Sequence, residues 1–182
     1  MVRRIHRGQG RSHPPCMRKA MTMHFVPTPI ATQPHSARLR LGRVSMQGQA
    51  YLLTTVTRDR APVFADFTLA RAAIAAMRSC DDLGESQTLA FVLMPDHLHW
   101  LMVLRAPTLE AVVRRFKSAS ARTVNQMRRA QGQALWQIGF HDHALRAEED
   151  LRAAARYLVG NPVRAGLVDS VMDYSHWDAV WL

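Results

Sequence analysis

The stretch FVLMPDHLHWLMVL, residues 91–104, decides the fold that we expect for this sequence. Two apolar runs, 88–94 and 97–104, flank the dipeptide Pro95-Asp96, a short link that suits the turn of a β-hairpin. Because both faces of these strands are mostly apolar, we expect them in the centre of a sheet that is covered on each side.

The segments around this hairpin alternate between strand and helix patterns. Residue types and periodicity predict strands at 50–57 and within 134–146, and helices at 69–80, 109–129 and 148–161. The last helix should end at Asn161 because Pro162 follows it. The order β-α-β-β-α-β-α predicts an α+β fold, a ferredoxin-like or RRM-like antiparallel sheet with helices packed on it. The order of the strands in that sheet is left open.

Two histidines lie one residue apart at the start of the second hairpin strand. Side chains alternate between the faces of a strand, so His97 and His99 should share one face while Leu98 and Trp100 share the other. Two imidazoles on one face can converge on a single ion, or they can form a hydrogen-bonded buried pair. A third ligand would decide the metal: sulfur or a third histidine favours zinc, whereas an amide or carboxylate oxygen favours Mg²⁺ or Mn²⁺.

A second histidine cluster competes with the first. The segment His141-Asp142-His143 offers another set of metal ligands, which would support a histidine-ligated zinc hydrolase. The two cysteines, Cys16 and Cys80, lack the spacing of a zinc module or a disulfide framework.

The charge of the chain is strongly basic. Lys and Arg outnumber Asp and Glu by 24 to 14, a formal net charge of +10. Residues 1–37 hold six of the cations, no acid and many prolines, which predicts a disordered basic arm before one folded domain at 38–182. A nucleic-acid partner is favoured over an anionic membrane, although a merely solvated arm is the alternative. No stretch approaches the roughly 18 apolar residues of a membrane span, so we expect a soluble intracellular protein.

The predicted helix at 109–129 has one apolar and one basic face. The basic face is expected to contact phosphates, although a solvated surface is the simpler alternative. Its members are Arg114, Arg115, Lys117, Arg122, Arg128 and Arg129.

The segment VLMPDHLHWLM, residues 92–102, resembles the HUH motif of the single-tyrosine, IS200-like transposases: histidine, bulky hydrophobe, histidine after a strand and turn. Residues 42–64 resemble the opening strand of that family, and 114–126 resemble its helix after the histidines. The block 135–168 is similar to the REP-associated tyrosine transposases, in which a W-Q-x-x-F segment leads through a tyrosine-bearing helix to NPVRAG. The resemblance covers roughly residues 38–182.

This resemblance implies an enzyme that nicks single-stranded DNA with a helix-borne tyrosine, here Tyr157. It further implies that His97, His99 and Asn161 hold Mg²⁺ or Mn²⁺ while a 5′-phosphotyrosine forms. Helical spacing places Tyr157 and Asn161 on one face, although Asn before Pro is also a common helix end. The implied substrate is a REP-like palindromic hairpin, and the implied location is the bacterial cytoplasm, at the nucleoid.

Two questions stay open at this point. A domesticated DNA-hairpin-binding regulator without catalytic activity would carry the same motifs. A monomer and a homodimer that exchanges its tyrosine helices are equally compatible with the sequence.

Overall fold

The computed structural model describes residues 45–146 and 151–181. The predicted arm at 1–37 and the predicted start of the last helix at residue 148 lie outside the described residues. Within these described ranges, five strands and four α-helices follow one another in the order of the chain. They are β1 Ala50–Val56, α1 Phe67–Asp82, β2 Ser86–Met94, β3 His97–Leu104, α2 Leu109–Met127, β4 His141–Ala144, α3 Leu151–Val159, α4 Asn161–Arg164 and β5 Trp177–Ala179.

The sheet is antiparallel throughout, with the strand order β4-β1-β3-β2-β5. The β2-β3 hairpin lies inside the sheet: Leu101 of β3 faces Leu52 of β1 on one side and Ala90 of β2 on the other. The α+β prediction and the central position of the hairpin are therefore confirmed. β5 was not predicted, because three residues are too few for strand periodicity to show.

Each face of the sheet carries its own hydrophobic core, and β3 contributes to both. On one face, Trp100 packs against the α2 residue Phe116, with ring centroids 5.8 Å apart. On the other face, Leu101 belongs to a cluster that contains Ala155 and Leu158 of α3. The strand alternation of β3 thus directs even-numbered side chains toward α1 and α2, and odd-numbered side chains toward α3.

The long helices begin at side-chain caps that the sequence supplies. The carboxylate of Asp66 accepts hydrogen bonds from the backbone N–H groups of Thr68 and Leu69, at 2.8 and 3.0 Å. Thr108 does the same for α2 through the N–H of Ala111. These bonds satisfy donors that a first helical turn otherwise leaves unpaired. Among the described residues, no helix is long and apolar enough to cross a membrane.

The end of the tyrosine-bearing helix differs from the prediction. α3 ends at Val159, and Asn161 is the first residue of the short helix α4 instead of the last residue of α3. Pro162 lies in the first turn of α4, where its missing N–H removes no helical hydrogen bond. Pro162 therefore helps to start a new helix. The sequence had predicted only that this proline ends the preceding one.

Candidate active site

His97 and His99 project from the same face of β3, the face on which α3 packs. Their Nε2 atoms lie 3.2 Å apart, and the two rings meet edge to face with centroids 4.7 Å apart. The predicted sharing of one face is confirmed by this contact. The Nε2 atoms of the two histidines therefore point toward the same position beside the sheet.

His97 is oriented from behind by a carboxylate. The Nδ1 atom of His97 lies 2.5 Å from Oδ1 of Asp96, and the other oxygen of Asp96 accepts a 2.9 Å bond from the Arg60 guanidinium. Burial acts to raise the pKa of Asp96, but the hydrogen bonds and charges of His97 and Arg60 hold it below its ordinary value. An ionised Asp96 accepts the Nδ1 proton, which leaves the lone pair of Nε2 for a ligand. Sequence reasoning had assigned Asp96 to the turn alone.

His99 is oriented by a hydroxyl on the neighbouring strand. Its Nδ1 atom lies 2.8 Å from Oγ1 of Thr54, which is its cross-strand partner in β1. Burial lowers the pKa of His99 to about 3, with further lowering from the charges of His97 and Arg164. The imidazole is consequently neutral at physiological pH, the state in which histidine binds metals.

The geometry of the pair fits a divalent ion. Two nitrogens bound at about 2.1 Å to one ion lie about 3.0 Å apart at a right angle and about 3.4 Å apart at a tetrahedral angle. The separation of 3.2 Å falls between these values, and it is equally a hydrogen-bonding distance between the two imidazoles, the other arrangement that the sequence left open. Each ring also has a hydrogen-bond partner on its Nδ1 atom, as metal-binding histidines usually have.

In the described part of the chain, no acid, cysteine or further histidine joins the pair as a third metal ligand. Within residues 45–146 and 151–181, no three such side chains lie together so as to hold an ion. Asn161 uses its Nδ2 to donate a 2.8 Å bond to the carbonyl of Leu158, so it closes the end of α3. The amide nitrogen of Asn161 is occupied by that bond. Of the two side-chain atoms, Oδ1 is the one suited to bind a metal.

Tyr157 lies half-buried on α3 and is contacted by a residue that the sequence analysis did not select. The guanidinium carbon of Arg164 lies 4.0 Å from the centre of the Tyr157 ring, and Arg164 also donates a hydrogen bond to the Tyr157 carbonyl. The charge of Arg164 acts on His99 as well. Arg164 therefore contacts the tyrosine directly and affects His99 only through its charge. The signal was present in the sequence, because Arg164 is the arginine of NPVRAG.

The two other tyrosines of the chain are held in structural roles. The Tyr51 hydroxyl accepts a 3.0 Å bond from the Met46 N–H, and its ring belongs to the core under α1 and α2. The Tyr174 hydroxyl donates a 2.7 Å bond to the Leu93 carbonyl. Burial, and secondarily the charge of Asp96, raise the pKa of Tyr174 to about 12. The hydroxyls of Tyr51 and Tyr174 are therefore both engaged in bonds that hold the fold together.

The competing histidines lie on the outer strand β4. His141 is the cross-strand partner of Thr54, which on its other side faces His99. Two strand spacings, roughly 10 Å, therefore separate His141 from His99. Both His141 and His143 are exposed, and the described residues contain no three-ligand cluster around them.

The basic side chains of α2 lie away from the histidines, because α2 covers the opposite face of the sheet. Arg115 pairs with Glu85 at 2.7 Å, and Lys117 is partly buried and donates to the carbonyls of Gln137 and Gly139. Lys117 is thus only partly outward, because its ammonium secures the loop before β4, and its contact with phosphates stays a prediction. Arg114 and Arg122 of α2 are exposed, as are Arg128 and Arg129, which lie beyond the end of α2 at Met127 and not within the helix as predicted.

A helix-covered antiparallel sheet, a histidine pair on its central strand and a tyrosine helix on the same face together define a class of protein. The sequence model of the family described as "Transposase IS200 like" matches residues 45–160. This chain belongs to that family, as the resemblance predicted.

Two individual proteins are similar to this chain over most of its length. The chain is 27% identical over 140 residues to a Haemophilus influenzae protein described as a REP-associated tyrosine transposase, a match that covers 71% of this chain and 79% of that protein. A solved structure of a REP-associated tyrosine transposase bound to a REP hairpin is similar with a TM-score of 0.64 and 23% identity. That match covers 74% of this chain and 79% of the other, and it supports the fold.

Proposed function

We propose that this chain cuts and rejoins single-stranded DNA at a palindromic hairpin, in a metal-dependent reaction that passes through a 5′-phosphotyrosine at Tyr157. The observation that carries the proposal is the convergence of the His97 and His99 Nε2 atoms, 3.2 Å apart, on the face that carries the tyrosine helix. Membership of the IS200-like transposase family supports DNA strand transfer as the reaction.

His97, His99 and the Oδ1 atom of Asn161 are the proposed ligands of Mg²⁺ or Mn²⁺. The ion, when bound, polarises a non-bridging oxygen of the scissile phosphate. Asp96 and Thr54 hold the two imidazoles in the orientation that ligation requires, and the Asp96 carboxylate, which only accepts, favours a proton on Nδ1 of His97. The low pKa of His99 also favours metal binding, because no proton competes with the ion near neutral pH.

The proposed chemistry is an exchange of phosphate esters. The Tyr157 phenol oxygen attacks phosphorus, a bond from that oxygen to phosphorus forms, and the bond from phosphorus to the 3′ oxygen breaks. The phenol proton is lost and the leaving 3′ oxygen gains a proton, so the products are a 5′-phosphotyrosine and a free 3′-OH. Attack by a second DNA 3′-OH reverses these changes and releases the tyrosine.

The surface around the histidine end of the sheet suits single-stranded DNA. Phe67, at the start of α1, is 60% exposed, and its ring centroid lies 5.3 Å from that of His176. Three residues earlier, the N–H of Phe64 donates a 2.9 Å bond to the carbonyl of Pro95 in the 95–96 turn. Exposed Arg58 and Arg60 precede this segment. An exposed aromatic ring with cations nearby provides a stacking surface for an unpaired base and contacts for its phosphates.

The test is a covalent-adduct assay on the full chain. The protein is incubated with Mn²⁺ and labelled single-stranded DNA from the repeats that flank its gene, and the adduct is resolved on a denaturing gel. Wild-type protein should form the adduct and Tyr157→Phe should form none, whereas Tyr51→Phe serves as the matched control and should retain it. An adduct of equal yield on Tyr157→Phe would contradict the proposal.

The same assay separates the proposed enzyme from a regulator that only binds hairpins. A regulator would bind the hairpin after Tyr157→Phe and after chelation, and would release no cleaved strand. A histidine-ligated zinc hydrolase would instead contain stoichiometric zinc that His141→Ala or His143→Ala removes. Either result would replace the proposed function.

A further inference from the structure

Arg164 makes two contacts with Tyr157 from a different helix. Its guanidinium lies over the ring, with 4.0 Å between the guanidinium carbon and the ring centre. One of its N–H groups also donates to the Tyr157 backbone carbonyl. A cation over a ring face restricts the tilt of the ring, and the bond to the carbonyl anchors the cation to the same residue.

The break between α3 and α4 brings Arg164 back to Tyr157. Gly160 has φ −74° and ψ 0°, a right-handed conformation that any residue adopts, so the backbone does not require glycine there. A Cβ atom at this position would lie 2.8 Å from Nη1 of Arg164. Gly160 is thus needed for the space that the guanidinium fills.

Arg164 is exposed, and its charge faces the Tyr157 ring. The structure records no salt bridge from Arg164 to a carboxylate in the part of the chain that it describes. The contacts that place the cation are those to the ring and the carbonyl of Tyr157.

We propose that Arg164 is a positioning residue that holds the Tyr157 ring in the orientation for attack, and that Gly160 provides the space this arrangement requires. The inference rests on the proposed function, because attack by Tyr157 is what the orientation serves. It assigns a task to the arginine and the glycine of the sequence GNPVRAG.

The first measurement needs neither metal nor DNA. The full chain is labelled with 3-fluorotyrosine, and the fluorine resonance of residue 157 is assigned by its loss in Tyr157→Phe. Arg164→Gln and Gly160→Ala should both move this resonance toward the position of free fluorotyrosine, while those of Tyr51 and Tyr174 stay in place. Gly160→Ala is the sharper variant, because it displaces the guanidinium without changing the charge and alanine suits the helical backbone.

The second measurement is the single-turnover rate of adduct formation at saturating hairpin DNA and Mn²⁺. Arg164→Gln and Gly160→Ala should each lower this rate about tenfold, with unchanged DNA affinity, because loss of a cation–π contact frees the ring. Arg164→Lys should recover part of the rate. Arg105→Gln is the charge-matched control, since Arg105 follows the far end of β3 and bonds Gln87 at 2.8 Å.

The outcomes distinguish the two proposals. An unchanged fluorine resonance in both variants, or an unchanged adduct rate in both, overturns the positioning role and leaves the proposed function standing. A wild-type protein that forms no adduct overturns the proposed function together with the role in attack. Hairpin binding and circular dichroism like those of wild type establish that each variant is folded.

Discussion

Each histidine of the pair is held by one side chain behind it, and the two partners differ in kind. Asp96 supplies a charged acceptor at 2.5 Å from His97, whereas Thr54 supplies a neutral hydroxyl at 2.8 Å from His99. A carboxylate raises the basicity of the imidazole that donates to it, and a hydroxyl does so less. His97 is therefore expected to depend more strongly on its partner than His99.

Replacing Asp96 tests this dependence. Asp96→Asn removes the charge and keeps the shape, and we expect it to weaken Mn²⁺ binding by about 10- to 100-fold, the usual effect of losing such a partner. Isothermal titration of Mn²⁺ into the protein without DNA measures the affinity. Asp59→Asn is the control, because Asp59 is exposed and pairs only loosely with Arg58 at 3.5 Å. Equal affinities of the two variants would contradict the assigned role of Asp96.

At the scale of elements, α3 is fixed on the sheet by a small set of apolar contacts. Leu158 is 1% exposed and packs in the cluster that contains Leu101 and Val92. Tyr157 occupies the neighbouring position on the same helix, so the packing of Leu158 determines where the tyrosine stands.

Truncation of Leu158 should therefore lower both stability and activity. Leu158→Ala is expected to reduce the free energy of unfolding by about 2–5 kcal/mol, the range for a buried leucine, and to lower adduct formation. Urea unfolding measures the first effect. Leu167→Ala, at a leucine that is 46% exposed, should change stability by less than about 1 kcal/mol. A small loss in Leu158→Ala would show that α3 is not anchored there.

The helix α2 allows a different prediction, because it lies on the face away from the histidines. If Arg122 and Arg128 contact phosphates, the double change to glutamine should reduce the salt dependence of hairpin binding by about two units in the slope of log K against log salt. The adduct rate at saturating DNA should stay the same, because the site is on the other face. A salt dependence equal to that of wild type would show that these arginines are solvated and do not contact phosphates.

At the scale of the whole molecule, the tyrosine helix packs on the sheet of its own chain. Leu158 of α3 and Leu101 of β3 lie in one core, and Arg164 of α4 acts electrostatically on His99. On this packing we propose that the tyrosine and the histidines of one copy act together in cis, without exchange of helices between two copies.

Mixing two inactive variants tests the cis arrangement. A mixture of Tyr157→Phe with a His97→Ala, His99→Ala double variant should form no adduct, since neither copy holds a complete site. Adduct formation well above that of each variant alone would show that a tyrosine helix acts on the histidines of another copy. Covalent labelling on a denaturing gel identifies which polypeptide carries the DNA.

Much of this molecule follows from local patterns in the chain. Residues 88–104 read as a central hairpin because both faces are apolar, and the strand period alone placed His97 and His99 on one face. The family motifs singled out Tyr157 and Asn161. These features depend on residues that are near neighbours in sequence.

Other features arise only where distant segments meet. The strand order, the pairing of β5 with β2 and the covering of the two faces by different helices depend on long-range contacts that no local period encodes. The same holds for Thr54 beside His99, since 45 residues separate them along the chain. The restart of the helix after Gly160 and the return of Arg164 to Tyr157 were also decided by packing. The sequence by itself determined which residues could do the chemistry, whereas the tertiary structure decided which of them stand together, because side-chain type is local and proximity across a sheet is not.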